Sequence, residues 1–395
     1  MKVARLAAAF CLALIPSVRT PAQEPPHGLR QVLVSDSGVQ TVTIGPGAPR
    51  HTVGLQGHRH VIVMDTAART YALRYAVALD PNDTQAAIPG EGYIGMPEPS
   101  NQNWYAGGFF DVWLNGKSIG GTMIHSLTGR SSGPRGTVDF VFEAPQAVVR
   151  VRFVAKTGGD CVYAQVLLEP KQEITSVRVT TRCYPSAFST DGHRHVQTAA
   201  RDFAQGERAV LDVASEWWTL YYDRVYDAGY VGTTRSGVGP CAMLWVPGQT
   251  EKVHFIVGSY GIETALDLQP AADDFRFVFF DYAGMKNDAA KADLEERAQT
   301  LLGELKTLAF TAPDLANWPL AQKQAEIQRV LASVPGDKKA ADRYERWGRE
   351  LAVQLELVRT GSAGAIMAEA DAARTIGQWE RGLPALKLQA LLNEI

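Results

Sequence analysis

Two short segments carry paired imidazoles: Gly57-His58-Arg59-His60-Val61 and Gly192-His193-Arg194-His195-Val196. On a β-strand residues i and i+2 share a face, so His58 with His60, and His193 with His195, would each aim two ring nitrogens at one point. That is half of the donor set that zinc, copper or iron takes from imidazole. A divalent metal is thus a candidate cofactor. The competing reading needs no cofactor: Gly-His-Arg-His closes a loop and opens a strand, and its histidines make ordinary hydrogen bonds.

A second set is acidic. In Glu216-Trp217-Trp218-Thr219-Leu220-Tyr221-Tyr222-Asp223, followed by Asp227, three carboxylates flank an aromatic strand. Glu216, Asp223 and Asp227 would supply a general acid and base if they met in a glycan cleft. Alternation puts Trp217, Thr219 and Tyr221 on one face and Trp218, Leu220 and Tyr222 on the other, the pattern of a strand covered on both sides.

A third set lies in two long stretches. Ala86 to Gly108 carries Tyr93, Trp104 and Tyr105, and Arg224 to Pro240 carries Tyr226 and Tyr230. Long loops on a rigid β scaffold often hold function. Flat aromatic faces beside Asn, Gln and Asp suit sugars, with their C–H faces and rings of hydroxyls; the same aromatics would also serve to pin the loops down.

The elements that must position these residues are short and rich in Val, Phe, Tyr and Thr. Runs such as Thr70–Leu79, Phe109–Leu114, Val138–Phe142, Val148–Val154, Ile174–Thr181 and Phe275–Phe280 read as antiparallel strands over residues 30–283. Asn115-Gly116 predicts a type I′ hairpin turn. From about residue 285 the period changes to that of helices. Leu294, Ala298, Leu301 and Leu305 recur at helical spacing, then Tyr344, Trp347, Leu351 and Leu355, with Asp337 as a cap and a last helix ending near Leu383-Pro384. The expected fold is mainly β, two internally repeated antiparallel β-sandwich units followed by an α-helical C-terminal region.

The repeat is read from six matches in the same order. Besides the His-Arg-His segments, Thr66-Ala67-Ala68-Arg69 returns as Thr198-Ala199-Ala200-Arg201, and Leu79-Asp80 as Leu211-Asp212. Gly92-Tyr93-Ile94-Gly95 returns as Gly229-Tyr230-Val231-Gly232, Trp113 and Gly116 as Trp245 and Gly248, and Phe140-Val141-Phe142 as Phe277-Val278-Phe279. The expected organisation is a signal segment over 1–22, sandwich units over 30–168 and 169–284, and helices over 285–395.

The signal segment rests on Lys2 and Arg5, the apolar run Leu6 to Ile15, and Thr20-Pro21-Ala22 before a cleavage point. That run is too short to span a bilayer. The mature chain is expected to be periplasmic or extracellular, without membrane insertion. Without Lys2, Arg5 and Arg19 the 39 basic residues become 36 against 42 acidic, a formal net charge of −6, which disfavours nucleic acid as a partner. Cys161, Cys183 and Cys241 remain. If residues 160–183 form a hairpin about Gln172, Cys161 and Cys183 face each other and a disulfide between them is the expectation in an oxidising compartment, with two neighbouring thiols as the alternative.

The stretch Gly108-Phe109-Phe110-Asp111-Val112-Trp113-Leu114-Asn115-Gly116-Lys117, with Val148-Val149-Arg150-Val151-Arg152-Phe153 and Thr157-Gly158-Gly159-Asp160, resembles a galactose-binding-like jelly-roll carbohydrate-binding module. The resemblance covers about a quarter of the chain, in scaffold residues, and implies sugar binding without assigning a contact residue. The expected function is an exported carbohydrate-binding or glycan-associated protein. The alternatives are a polysaccharide-acting enzyme, metal-dependent through the His pairs, and an envelope assembly protein that docks a protein partner through its helices.

Overall fold

The computed structural model describes residues 31–45, 51–88, 90–186, 190–227 and 239–393. The segment read as a signal, Tyr230 and most of the Arg224–Pro240 loop lie outside the described residues.

Twenty strands form two antiparallel sheets, one of eleven strands and one of nine. The chain enters the eleven-stranded sheet with β1 (Leu33–Thr43), β2 (Gln56–Asp65), β3 (Thr70–Asp80), β4 (Asp83–Ala87), β5 (Tyr93–Glu98), β6 (Phe110–Leu114) and β7 (Lys117–Ser118). It then builds one half of the nine-stranded sheet from β8 (Ile124–Ser132), β9 (Arg135–Glu143), β10 (Ala147–Lys156) and β11 (Cys161–Pro170). Afterwards it alternates. β12 (Val177–Cys183), β15 (Arg208–Val210), β18 (Thr250–Val257) and β19 (Ile262–Leu268) complete the first sheet. β13 (Arg194–Gln197), β14 (Asp202–Ala204), β16 (Trp218–Asp223), β17 (Cys241–Trp245) and β20 (Asp274–Asp281) complete the second.

Alternation of side chains explains why these strands form a sandwich. In β12, Val177, Val179, Thr181 and Cys183 are buried while Arg178 and Arg182 are exposed, and β19 repeats the pattern with Ile262, Thr264, Leu266 and Leu268 inside. The inward sides meet in an aromatic core. Trp104, Phe109, Phe153 and Phe279 pack with ring centroids 5.1–6.4 Å apart, mostly tilted or edge-on. The predicted hairpin turn is present: Asn115 and Gly116 have φ of 50° and 75° between Leu114 and its partner Lys117.

The nine-stranded sheet is covered on its outer face as well. α1 (Asn287–Thr307) lies on β16, β17 and β20, burying Leu294, Ala298, Leu301 and Leu305. Trp217, Trp218, Leu220 and Tyr221 are accordingly all buried. α2 (Pro313–Ala316), α3 (Leu320–Ala332), α4 (Lys338–Thr360) and α5 (Ala365–Asn393) enclose a second core around Tyr344, Leu351, Leu355 and Trp379. The Asp337 side chain accepts from Ala340 N at 2.9 Å and caps α4, which ends at Gly361 with φ 59°. α5 docks on β8, β9 and β10. No described helix is long and apolar enough to cross a membrane. The mainly β body with a helical C-terminal region is thus the observed fold.

Three expectations are corrected. The hairpin through Gln172 does not form: β11 pairs with β10 and β20 in one sheet, and β12 with β6 and β19 in the other. Cys161 therefore faces Phe280 and Cys183 faces Ile262; the two are not bonded, and Cys161, Cys183 and Cys241 are buried free thiols. The last helix does not stop at Pro384 but runs through it to Asn393. Pro384 sits on the exposed side, as does Glu380, whose carbonyl it leaves without a helical partner, while Leu383, Leu386 and Ala390 keep burying the other side.

The two Thr-Ala-Ala-Arg segments close the same turn. Thr66 Oγ1 donates to Arg69 O and accepts from Arg69 N, and Thr198 Oγ1 does the same with Arg201. The strands around them are placed differently. Phe140–Phe142 lies in β9 between β8 and β10, and Phe277–Phe279 lies in β20 between β17 and β11. Strands from residues 30–168 and from residues 169–284 enter both sheets.

Candidate functional site

With helices on the nine-stranded sheet, the outer face of the eleven-stranded sheet is the broad surface they leave uncovered. Across β6, β12, β19 and β18 the register sets Asp111, Thr180, Ala265 and His254 in one row, all pointing outward. Flanking rows add Trp113 on one side and Arg182, Glu263 and Ile256 on the other. A wall rises from residues 90–93, 117–122 and 145–146, and together they enclose an open cleft of about 890 Å³. The wall is tight where Gly92 N donates to Gly120 O at 3.2 Å. A Cβ on Gly120 would lie 2.5 Å from Gly92 O, so the close approach requires glycine there.

The cleft is amphipathic. Trp113 is 36% exposed, with its indole Nε1 donating to Thr180 Oγ1 at 3.4 Å. Tyr93 joins it from the wall. Arg182 pairs with Glu263 at 2.6 Å. His254 Nδ1 is buried without a hydrogen-bond partner, and burial pushes the imidazole below its ordinary pKa, so the ring is neutral at pH 7. Burial also pushes the Asp111 carboxyl up to about 6, against the opposing effect of hydrogen bonds from Ser118 and the Val112 and Gly120 amides. An aromatic face with neutral and charged hydrogen-bonding groups around it can stack a sugar ring and read its hydroxyls.

The Asp111 shift has a stability consequence. A carboxyl whose folded pKa lies above its unfolded value of 3.8 contributes stability below that value and loses it as pH rises through about 6. Asp111→Asn is expected to leave unfolding free energy nearly unchanged at pH 3.5 and to raise it by about 3 kcal/mol at pH 7.5. Urea denaturation at both pH values measures this, and a difference that does not vary with pH would sink it.

Of the residues singled out for sugar contact, Tyr93 lines this cleft. Trp104 does not: its relative exposure is 0% and its indole donates to Phe280 O at 2.7 Å inside the core, which corrects its assignment to a binding surface. Tyr105 is half-buried with its ring against Tyr184, 4.8 Å between centroids. Tyr226 sits just past β16, with its amide bonded to Asp223 Oδ1.

The carboxylates after and before β16 do not converge. Glu216 is buried and clamped by Arg201 and Thr198. Asp223 is wholly buried in an ion pair with Arg194 at 2.9 Å. Asp227 accepts from Asn287 N at 2.9 Å and lines a separate cleft with Asp202 and Lys291. Each is engaged in holding the scaffold, and the pairing envisaged for acid–base work is absent among them.

His58 and His60 share a face of β2, as alternation requires. They line a smaller cleft of about 390 Å³ against α5 together with His125 and Arg381. His60 Nε2 is hydrogen-bonded to Asp36. His195 stacks on Tyr222 and meets Asp202 at 3.1 Å, while His193 is exposed just before β13. Among the described residues no group of three or more His, Cys, Asp or Glu is placed to hold a metal ion.

Asp111, Trp113 and His254 were not singled out as contacts from the sequence. The signal was present in Phe110-Asp111-Val112-Trp113-Leu114, where period two separates Asp111 and Trp113 from three apolar residues.

No family model matches the chain, and no curated protein matches it in sequence. Among solved structures it is similar to a chondroitinase AC lyase, at 8% identity and a TM-score of 0.34 over 59% of this chain and 38% of that one. It is also similar to an α-N-acetylgalactosaminidase of Bifidobacterium bifidum, at 8% identity and a TM-score of 0.36 over 71% and 42%. A GH36 α-galactosidase of Geobacillus stearothermophilus gives 9% and 0.29 over 54% and 39%. The chain spans about two fifths of each of these proteins. At such identities and scores no activity follows for this chain, and its chemistry has to be argued from its own cleft.

Proposed function

We propose that the chain is an exported carbohydrate-binding protein whose glycan site is the cleft over β6, β12, β19 and β18. The observation that carries the reading is Trp113, a large aromatic left exposed on the floor of an open cleft beside Asp111, Thr180 and Arg182. An exposed indole ringed by planar hydrogen-bonding groups has the chemistry a pyranose ring requires: one apolar face and a belt of hydroxyls. At about 890 Å³ the open cleft has room for more than one sugar unit.

Binding is favoured over hydrolysis because Glu263, the other carboxylate that lines the cleft beside Asp111, is held in an ion pair with Arg182 at 2.6 Å. Two-carboxylate glycoside hydrolysis needs both carboxyl groups directed at the scissile bond. A glycan array probed with the purified protein tests the reading. Retention of one chemically related group of glycans, released by the soluble sugar, is the expected result; retention of none refutes it.

One observation favours a catalytic variant of the same site. Asp111, with a pKa of about 6, is partly protonated near neutrality and so able to act as a general acid. Release of new reducing ends from a bound polysaccharide, lost in Asp111→Asn, would establish it.

A further inference from the structure

We propose that Cys183 and Cys241, both thiols in this structure, oxidise to a disulfide that staples the two sheets together beneath the cleft. The pairing follows from how β12 and β17 cross the interior. Thr181 Oγ1 of β12 reaches Met243 Sδ of β17 at 3.6 Å, so these two strands face each other across the sandwich. Stepping two residues outward along each, in opposite directions, brings the next inward-facing pair together, and that pair is Cys183 and Cys241. Their thiols lie against each other.

Two further contacts hold the same geometry. The Asn103 carbonyl accepts from the Cys241 thiol at 3.4 Å and from the amide of Tyr184, next to Cys183, at 3.2 Å. Tyr221, the neighbour of Cys241 across β16 and β17, bonds Thr264 in the opposite sheet at 2.9 Å. Cys161 is excluded by direction. It points to the other face of the nine-stranded sheet, beside Tyr163 and toward Arg297 of α1.

Both sulfurs are buried, at 2% and 0% exposure, so the bond forms while the chain folds and the sheets are still open. With glutathione disulfide as the oxidant, the first thiolate displaces one glutathione thiolate to give a mixed disulfide. The second cysteine then displaces the other. The balance is two protein thiols and one glutathione disulfide giving one protein disulfide and two glutathione thiols, which carry away both protons. The staple fixes β12, whose opposite face bears Thr180 and Arg182 on the cleft floor.

The test is refolding of the full chain from denaturant in a glutathione redox buffer, followed by alkylation and non-reducing digestion. A linked Cys183–Cys241 peptide pair, with Cys161 alkylated, is expected. Cys161→Ala should keep the link and Cys241→Ser should lose it. The oxidised protein should melt roughly 5 °C above the same protein refolded reduced. If the chain does not refold in vitro, protein made in an oxidising secretory host is digested in the same way. Folded protein with Cys183 and Cys241 both alkylated, or with either of them linked to Cys161 or Cys11, overturns the proposal.

Discussion

Arg152→Leu is expected to lower unfolding free energy by about 3–5 kcal/mol, the cost of leaving buried carboxylates without their cation. Arg152 is 1% exposed on the outer face of β10. Its guanidinium grips both carboxylate oxygens of Asp139 on β9, reaches Glu369 of α5 and donates to Phe310 O. Arg150 adds a bond to the same glutamate. These carboxylates hold the Arg152 guanidinium well above its ordinary pKa, although burial opposes it. The network is the polar part of the joint between α5 and the sheet, so Arg152→Leu should also loosen α5. Urea denaturation gives the magnitude, and amide exchange in residues 365–376 locates it. The quadruple variant Arg150→Leu, Arg152→Leu, Asp139→Leu, Glu369→Leu should recover most of the loss, because neither a carboxylate nor the Arg150 guanidinium is then left unpaired. A single variant as stable as the wild type would show that the network contributes nothing.

Trp104→Ala is expected to cost about 3–5 kcal/mol. The indole fills the interior between Phe109, Tyr221 and Phe279, and its loss leaves a cavity and removes the hydrogen bond to Phe280 O. Trp113→Ala should cost less, about 1–2 kcal/mol, since 36% of that residue already faces water. Thermal unfolding of the two variants side by side checks the contrast. Equal losses would mean that the two tryptophans do not divide into core and surface as described.

This contrast shows what was legible in the sequence. Trp104 attracted attention because it lies in a stretch rich in Gly, Pro and Asn, the composition of a surface loop. That stretch instead folds inward, and Asn103 and Ser100 bond the buried Asp281. Composition reports flexibility of the backbone and not the direction in which a loop packs. Trp113 carried a clearer signal, period-two alternation within a strand. What alternation could not supply was the neighbour: β12 lies beside β6 although more than sixty residues separate them, and the cleft floor exists only through that pairing. The same limit explains the hairpin through Gln172. Strand and turn were both read correctly in type, and the chain used the turn to change sheets. Local features such as the Asn115-Gly116 turn, the Asp337 cap and the leucine spacing of α1 were legible because each depends on residues within one turn or one face.

The cleft around Trp113 is the proposed glycan site. The direct measurement is affinity electrophoresis of the wild type and Trp113→Ala in gels containing neutral glucans, galactans, mannans or polyuronates. At least one polysaccharide is expected to retard the wild type, and the variant, still folded, is expected to lose at least about tenfold in affinity for it. Wild-type protein retarded by none of them, or a variant retarded as strongly as the wild type, would contradict the assignment.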